Sequence, residues 1–215
     1  MEQNKKMVVL FQGDSITDAW RSRENGIEHN RGSGYPTMVS AVLGLREPNT
    51  YICLNRGNSG DRVVDLYARW KRDCLNLKPD VLSILIGVND VWHEFDYHNG
   101  VEAEKFELVY NLLLEETRRK LPGIRLMILE PFALKASDTE EQWEEFSREV
   151  HLRAEAARRV AEANGAVFVP LQKVLDDACA DGTPASEWLR DGVHPTAAGH
   201  ALITREWLKA FDSMK

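Results

Sequence analysis

The chain has 215 residues, 43% of them hydrophobic and 28% charged, the balance of a soluble globular protein with one buried core, read as one domain over 1–215. Asp plus Glu number 34 against 27 Lys plus Arg, a net charge of −7 with no basic run. Nucleic acid and a membrane surface both call for clustered positive charge and are excluded as expected partners. No segment reaches the ~20 apolar residues of a membrane span, and the apolar stretch at 7–11 is far shorter than a signal-peptide core, so a cytoplasmic location is expected. Cys53, Cys74 and Cys179 show no C-x-x-C spacing and no His at ligand distance, and are expected as reduced core thiols.

In chain order, the first apolar run is 8–11, followed by Gly13-Asp14-Ser15. The second, 51–54, leads into "NRGNSGD", after which Val64, Tyr67, Trp70 and Cys74 recur at helical spacing. The third, 81–86, runs into "GVND", and Phe106, Val109 and Leu113 mark the next helix. After the fourth run, 126–129, a stripe of Trp143, Phe146, Val150, Ala154, Ala157 and Ala161 predicts a long helix that Gly165 can close in a left-handed turn. The fifth run is 167–169, and a last helix is expected from about Pro195 to Phe211. Strands that are solidly apolar and alternate with helices indicate an α/β fold, a five-stranded parallel sheet with helices on both faces.

Ligands of open parallel sheets bind beyond the carboxyl ends of the strands, where strand order reverses, so the residues just after each strand are the candidates. They supply a hydroxyl (Ser15), small glycine loops, an amide (Asn89) and, in "DGVHP" near the C-terminus, a carboxylate and an imidazole (Asp191 and His194). A serine hydroxyl becomes nucleophilic only when a base takes its proton, and an imidazole suits that task once its other nitrogen has an acceptor. Asp191 can provide one from the same turn. The backbone N–H groups of Ser15 and Gly60 and the Asn89 amide suit an oxyanion hole; at Gly60 the absence of a Cβ lets the chain approach a substrate.

These four blocks, "GDSIT", "NSGD", "GVND" and "DGVHP", resemble those of the SGNH hydrolases, the GDSL esterase and lipase group, from Val8 to about Leu208. Only Ile16 departs, where the group's name has Leu, and no G-x-S-x-G is present. The resemblance implies a flavodoxin-like three-layer sandwich of strand order 2-1-3-4-5 and a serine esterase working through an acyl-serine, with no metal and no cofactor. "GDSITD", "KPD", "IGVNDVW" and "VHPTAAGH" are most similar to bacterial acetylxylan esterases. That implies deacetylation of small xylan-derived sugars by a homo-oligomer. Lysophospholipids, aryl esters and other acetylated sugars stay open as substrates. Trp92 and Trp188 are candidates for the site rim, and Trp70, Trp143 and Trp207 for the core.

Bland readings apply to the other polar residues. Ser59 shapes the Gly60 loop, Asp14 is a local turn residue, Asp90 caps the helix after it, and His200 belongs to the last helix. His93 and His98 in "HEFDYH" miss the H-E-x-x-H spacing and are expected in a solvated loop. A metallophosphoesterase needs His at positions occupied by Ile16 and Asp90, and a non-catalytic binding protein does not need the complete set of acyl-transfer groups.

Overall fold

A computed structural model describes residues 5–24 and 31–214. The five apolar runs form β1 (Met7–Gly13), β2 (Tyr51–Asn55), β3 (Val81–Leu85), β4 (Arg125–Leu129) and β5 (Val167–Val169). They lie in one parallel sheet of order β2-β1-β3-β4-β5, the α/β arrangement that the sequence indicates. β1 has β2 on one side and β3 on the other, in register Phe11 with Asn55 and Gly13 with Leu85. The strand order therefore reverses at β1, and the crevice beyond its carboxyl end lies between the segments that leave β1, β2 and β3.

Around the sheet run α1 (Ser15–Asp18), α2 (Tyr35–Arg46), α3 (Val63–Asp73), α4 (Val88–Tyr97), α5 (Ala103–Lys120), α6 (Trp143–Ala163), α7 (Gln172–Cys179) and α8 (Ala197–Ser213). Successive strand residues point to opposite faces, which splits the core in two. Val9, Phe11, Met127 and Leu129 pack with α2 and α8, whereas Leu10, Leu82, Leu126 and Ile128 pack with α3 and α5, and α6 contributes to both sides. Burial on both faces explains why these strands read as apolar runs rather than alternating ones, with Ser83 the one polar residue inside the run at 81–86.

Two buried tryptophans combine apolar area with a satisfied N–H. Trp207 donates to Ser83 Oγ at 2.9 Å and Trp70 to Thr117 Oγ1 at 2.8 Å. Trp143 is only half-buried, at the first turn of α6. Cys53 and Cys74 are buried free thiols; Cys179, at the end of α7, is partly exposed rather than in the core. The end of α6 closes as the sequence indicates: Gly165 takes φ 57°, Ala166 N–H reaches Ala161 O at 2.9 Å and Gly165 N–H reaches Glu162 O at 3.3 Å, a Schellman pair.

Two expectations are corrected. α8 starts at Ala197, not Pro195, because the Thr196 hydroxyl accepts the Gly199 N–H at 3.2 Å and makes Thr196 the N-cap, while Pro195 pairs with Leu189 in an isolated bridge. His93 lies within α4 and His98 at its left-handed C-cap (φ 52°), not in a loop. Among the described residues no three His, Cys, Asp or Glu side chains converge as a metal site, and no helix is long and apolar enough to cross a membrane.

Candidate active site

α1 begins directly after β1, and its N-cap is Asp14, whose Oδ1 accepts the Ile16 N–H at 2.9 Å. Capping is therefore done by the aspartate, and the Ser15 hydroxyl is left for another partner. That partner is His194: Ser15 Oγ and His194 Nε2 stand 2.9 Å apart across 179 residues of sequence. On the far side of the ring, Nδ1 is 2.7 Å from Asp191 Oδ2. Asp191 Oδ1 accepts the N–H groups of Val193 at 3.0 Å and His194 at 2.7 Å. Partial burial works against ionisation of Asp191, but the bonds from the imidazole and the two backbone N–H groups outweigh it and hold the carboxyl down at about 2. Asp191 is thus a fixed anion that orients the ring with its acceptor nitrogen toward the serine.

The other half of the site is a lattice of polar contacts between the loop after β2 and the start of α1. Asn55 Nδ2 donates to Thr17 O at 2.6 Å, and its Oδ1 accepts the Gly57 N–H at 2.8 Å. Ser59 N–H donates to Asp18 Oδ2 at 3.1 Å. Asp18 is in turn paired with Arg23, while Arg21 Nε donates to Gly57 O at 2.6 Å. Asp61 binds Asn58 and Arg69 through its two carboxylate oxygens. Its carbonyl accepts one hydrogen of the Asn89 amide at 3.1 Å and leaves the other free. Gly60 stands at φ 85°, and no atom lies within 4 Å of where a Cβ would be, so the demand on this residue is its left-handed backbone. Among the described residues the N–H groups of Ser15 and Gly60 donate to no protein acceptor. All three expected oxyanion donors thus keep an unused hydrogen in this corner of the fold.

Two carboxylates near the serine, Asp14 and Asp90, are buried without a salt-bridge partner among the described residues. Burial pushes Asp14 up to about 7, although the Ile16 N–H and His194 pull the other way, and its Oδ2 has no partner. Burial likewise raises Asp90 to about 8. Asp90 does not cap the helix it belongs to, as its position in sequence suggests. Its two oxygens take the Val63 N–H at 3.0 and 3.2 Å, at the start of α3, and so fix the exit of the Gly60 loop.

A cleft of about 770 Å³ opens from Ser15 and His194 toward Trp20, Arg23, Arg190 and His200. His200 belongs to α8, as expected. Its Nδ1 accepts the Tyr35 N–H at 3.2 Å, which places the proton of the neutral ring on Nε2. Behind the cleft Gly34 caps α2, and a Cβ there would stand 2.6 Å from Ala19 Cβ and 2.8 Å from His200 Cε1. Trp92 packs its ring 6.0 Å from that of His194. Trp188, in contrast, is not brought to the cleft. Its indole N–H is spent on Ala178 O at 3.1 Å, and it faces a separate hollow beside Val174 and Leu202. Trp20, Asn55, Asp18 and Asp61 escaped sequence reading. The last three were visible only as polar residues crowded behind two strands, and Trp20 gave no periodic signal.

The profile of the GDSL-like lipase/acylhydrolase family matches residues 11–202. The chain belongs to that family. This GDSL-family protein is 34% identical to an acetylxylan esterase of Geobacillus stearothermophilus, over 94% of the chain and 92% of the relative. Among solved structures, a GDSL-like protein of Parabacteroides merdae superposes with a TM-score of 0.91 at 37% identity, covering 96% and 95% of the two chains. The acetylxylan esterase Axe2 of G. stearothermophilus superposes with 0.84 at 29%, covering 98% and 96%. Two further Axe2 structures are of catalytic mutants, one serine to alanine and one aspartate to alanine. The GDSL-family chain is accordingly a carboxylic ester hydrolase.

Proposed function

We propose that this esterase removes acetyl groups from small acetylated xylan-derived sugars, with Ser15 as nucleophile, His194 as base and Asp191 as the group that orients it. The carrying observation is the unbroken chain from Ser15 Oγ through the imidazole to Asp191, with separations of 2.9 and 2.7 Å. Ser15 Oγ bonds to the ester carbonyl carbon as His194 Nε2 takes its proton. The negative charge that forms on the carbonyl oxygen is met by the N–H groups of Ser15 and Gly60 and by the Asn89 amide. The carbon–alkoxy bond then breaks, and His194 gives the proton to the departing alcohol. Water attacks the acetyl-serine, losing a proton to His194, and acetate leaves as Ser15 Oγ regains that proton. Asp191 accepts the Nδ1–H throughout and stays ionised.

The sugar half of the reading is supported by the similarity to an acetylxylan esterase and by the mixed lining of the cleft, where Ser33, Ser59, Arg190 and Thr196 interrupt the apolar surface of Trp20, Ile16 and Pro195. The resemblance also implies a homo-oligomer, which a monomer by light scattering overturns. The test is a panel of acetylated xylo-oligosaccharides, longer acyl esters and lysolipids, assayed with the native enzyme and Ser15→Ala. Acetate release from the sugars is expected, with a loss of roughly 10⁶-fold in the variant. A preference for long acyl chains or lysolipids overturns the sugar substrate and leaves the serine chemistry standing.

A further inference from the structure

We propose that Trp20 is the platform on which a pyranose ring of the alcohol half of the ester stacks during turnover, an assignment that rests on the acetyl-sugar reading above. Trp20 is 85% exposed, yet it lines the same cleft as Ser15 and His194. An indole left in water forfeits the burial that normally justifies it, so its position has to be explained by something other than the core.

The backbone supplies a second observation. Ala19 at φ 43° and Trp20 at φ 63° are consecutive left-handed residues, neither of them glycine. A left-handed backbone is unfavourable for a residue with a Cβ, and such strain survives only where the surroundings impose it. Here they do. Ala19 N–H is held by Ser15 O at 3.0 Å, and Ala19 O accepts the Ser33 N–H at 2.8 Å. Beyond Trp20, Arg21 N–H is bound by Asp18 O at 2.9 Å, and the Arg21 side chain is pinned to Gly57 O. The chain is thus clamped on both sides of one unclamped side chain, five residues from the nucleophile.

The chemistry of the lining selects the ligand. A lipid tail needs a continuous apolar groove, whereas in this cleft the apolar surface of Trp20, Ile16 and Pro195 is interrupted by Ser33, Arg23 and Arg190. A pyranose presents a flat C–H face to an aromatic ring and hydroxyls around its edge, and such a site offers partners for both. The acetyl group, next to Ser15, needs none of this space. The platform therefore concerns the alcohol side and is expected to act on recognition, not on the bond-making step.

The experiment compares Trp20→Ala and Trp20→Phe with the native enzyme on acetylated xylotriose and on ethyl acetate, whose alcohol carries no ring. Trp20→Ala is expected to raise KM for the sugar ester roughly five- to tenfold, with kcat/KM for ethyl acetate unchanged, and Trp20→Phe to recover part of the loss. Unchanged KM for the sugar, or equal losses on both esters, overturns the platform and leaves the substrate reading intact. A native enzyme that cleaves ethyl acetate but not acetylated xylotriose overturns the substrate reading and this assignment with it.

Discussion

The turn from Asp14 to Asp18 and the turn from Asp191 to His194 each place an aspartate beside the Ser15–His194 pair, and the two carboxylates end in opposite states. Asp191 collects three donors, the imidazole and two backbone N–H groups, and is held at about 2. Asp14 has one donor, the Ile16 N–H, and a second oxygen with no partner, and burial carries it up to about 7. Distance to the imidazole does not set the charge; the depth of burial, against the number of N–H groups aimed at each carboxylate, does. The arrangement suits acyl transfer, because the permanent anion lies across the ring from the serine, where it stabilises imidazolium.

The largest effect that sharpens this contrast is expected at Asp191. Asp191→Asn keeps the shape but offers an N–H where the ring needs an acceptor, and kcat should fall about 10⁴-fold; a loss under tenfold in steady-state assays would show that the imidazole does not depend on that anion. Next comes the opposite wall. Asn89→Ala removes one oxyanion donor and should lower kcat roughly 10²- to 10³-fold with KM little altered. An effect confined to KM would place Asn89 in ground-state binding.

The smallest effect belongs to Asp14 and concerns stability. Its carboxyl ionises near 3.8 when unfolded and near 7 in the fold, so it contributes stability that is fully present below about 3.8 and lost as pH rises through about 7. Asp14→Asn keeps an oxygen for the Ile16 N–H and removes the titration. The Tm of the variant relative to the native protein should therefore rise between about pH 4 and about pH 8, by an amount corresponding to a few kcal/mol. A difference that stays flat across that range would mean that Asp14 ionises as easily in the fold as out of it.

Much of this is legible in the order of the amino acids. The runs at 81–86 and 126–129 are apolar because both faces of β3 and β4 are covered, and Ser15, after β1, and Asp191 and His194, in the segment before α8, stand out because acyl transfer demands those residue types. The illegible part depends on direction. Trp188 lies three residues before Asp191, but the turn between them is not helical, so spacing could not say that its indole points to Ala178. Position in the chain points Asp90 at its own helix, whereas the N–H it binds is that of Val63, 27 residues away at the start of α3. Trp20 has no periodic partners, and nothing in its neighbours announces a left-handed tryptophan.

Gly34 carries a consequence for the enzyme's breadth. Ala19 and His200 both line the cleft, and both approach the head of α2 at a residue with no side chain. A side chain at Gly34, which does not itself line the cleft, would push on two residues that do. A single methyl inserted there acts as a wedge, so the range of esters admitted can drift without any change in the proton relay.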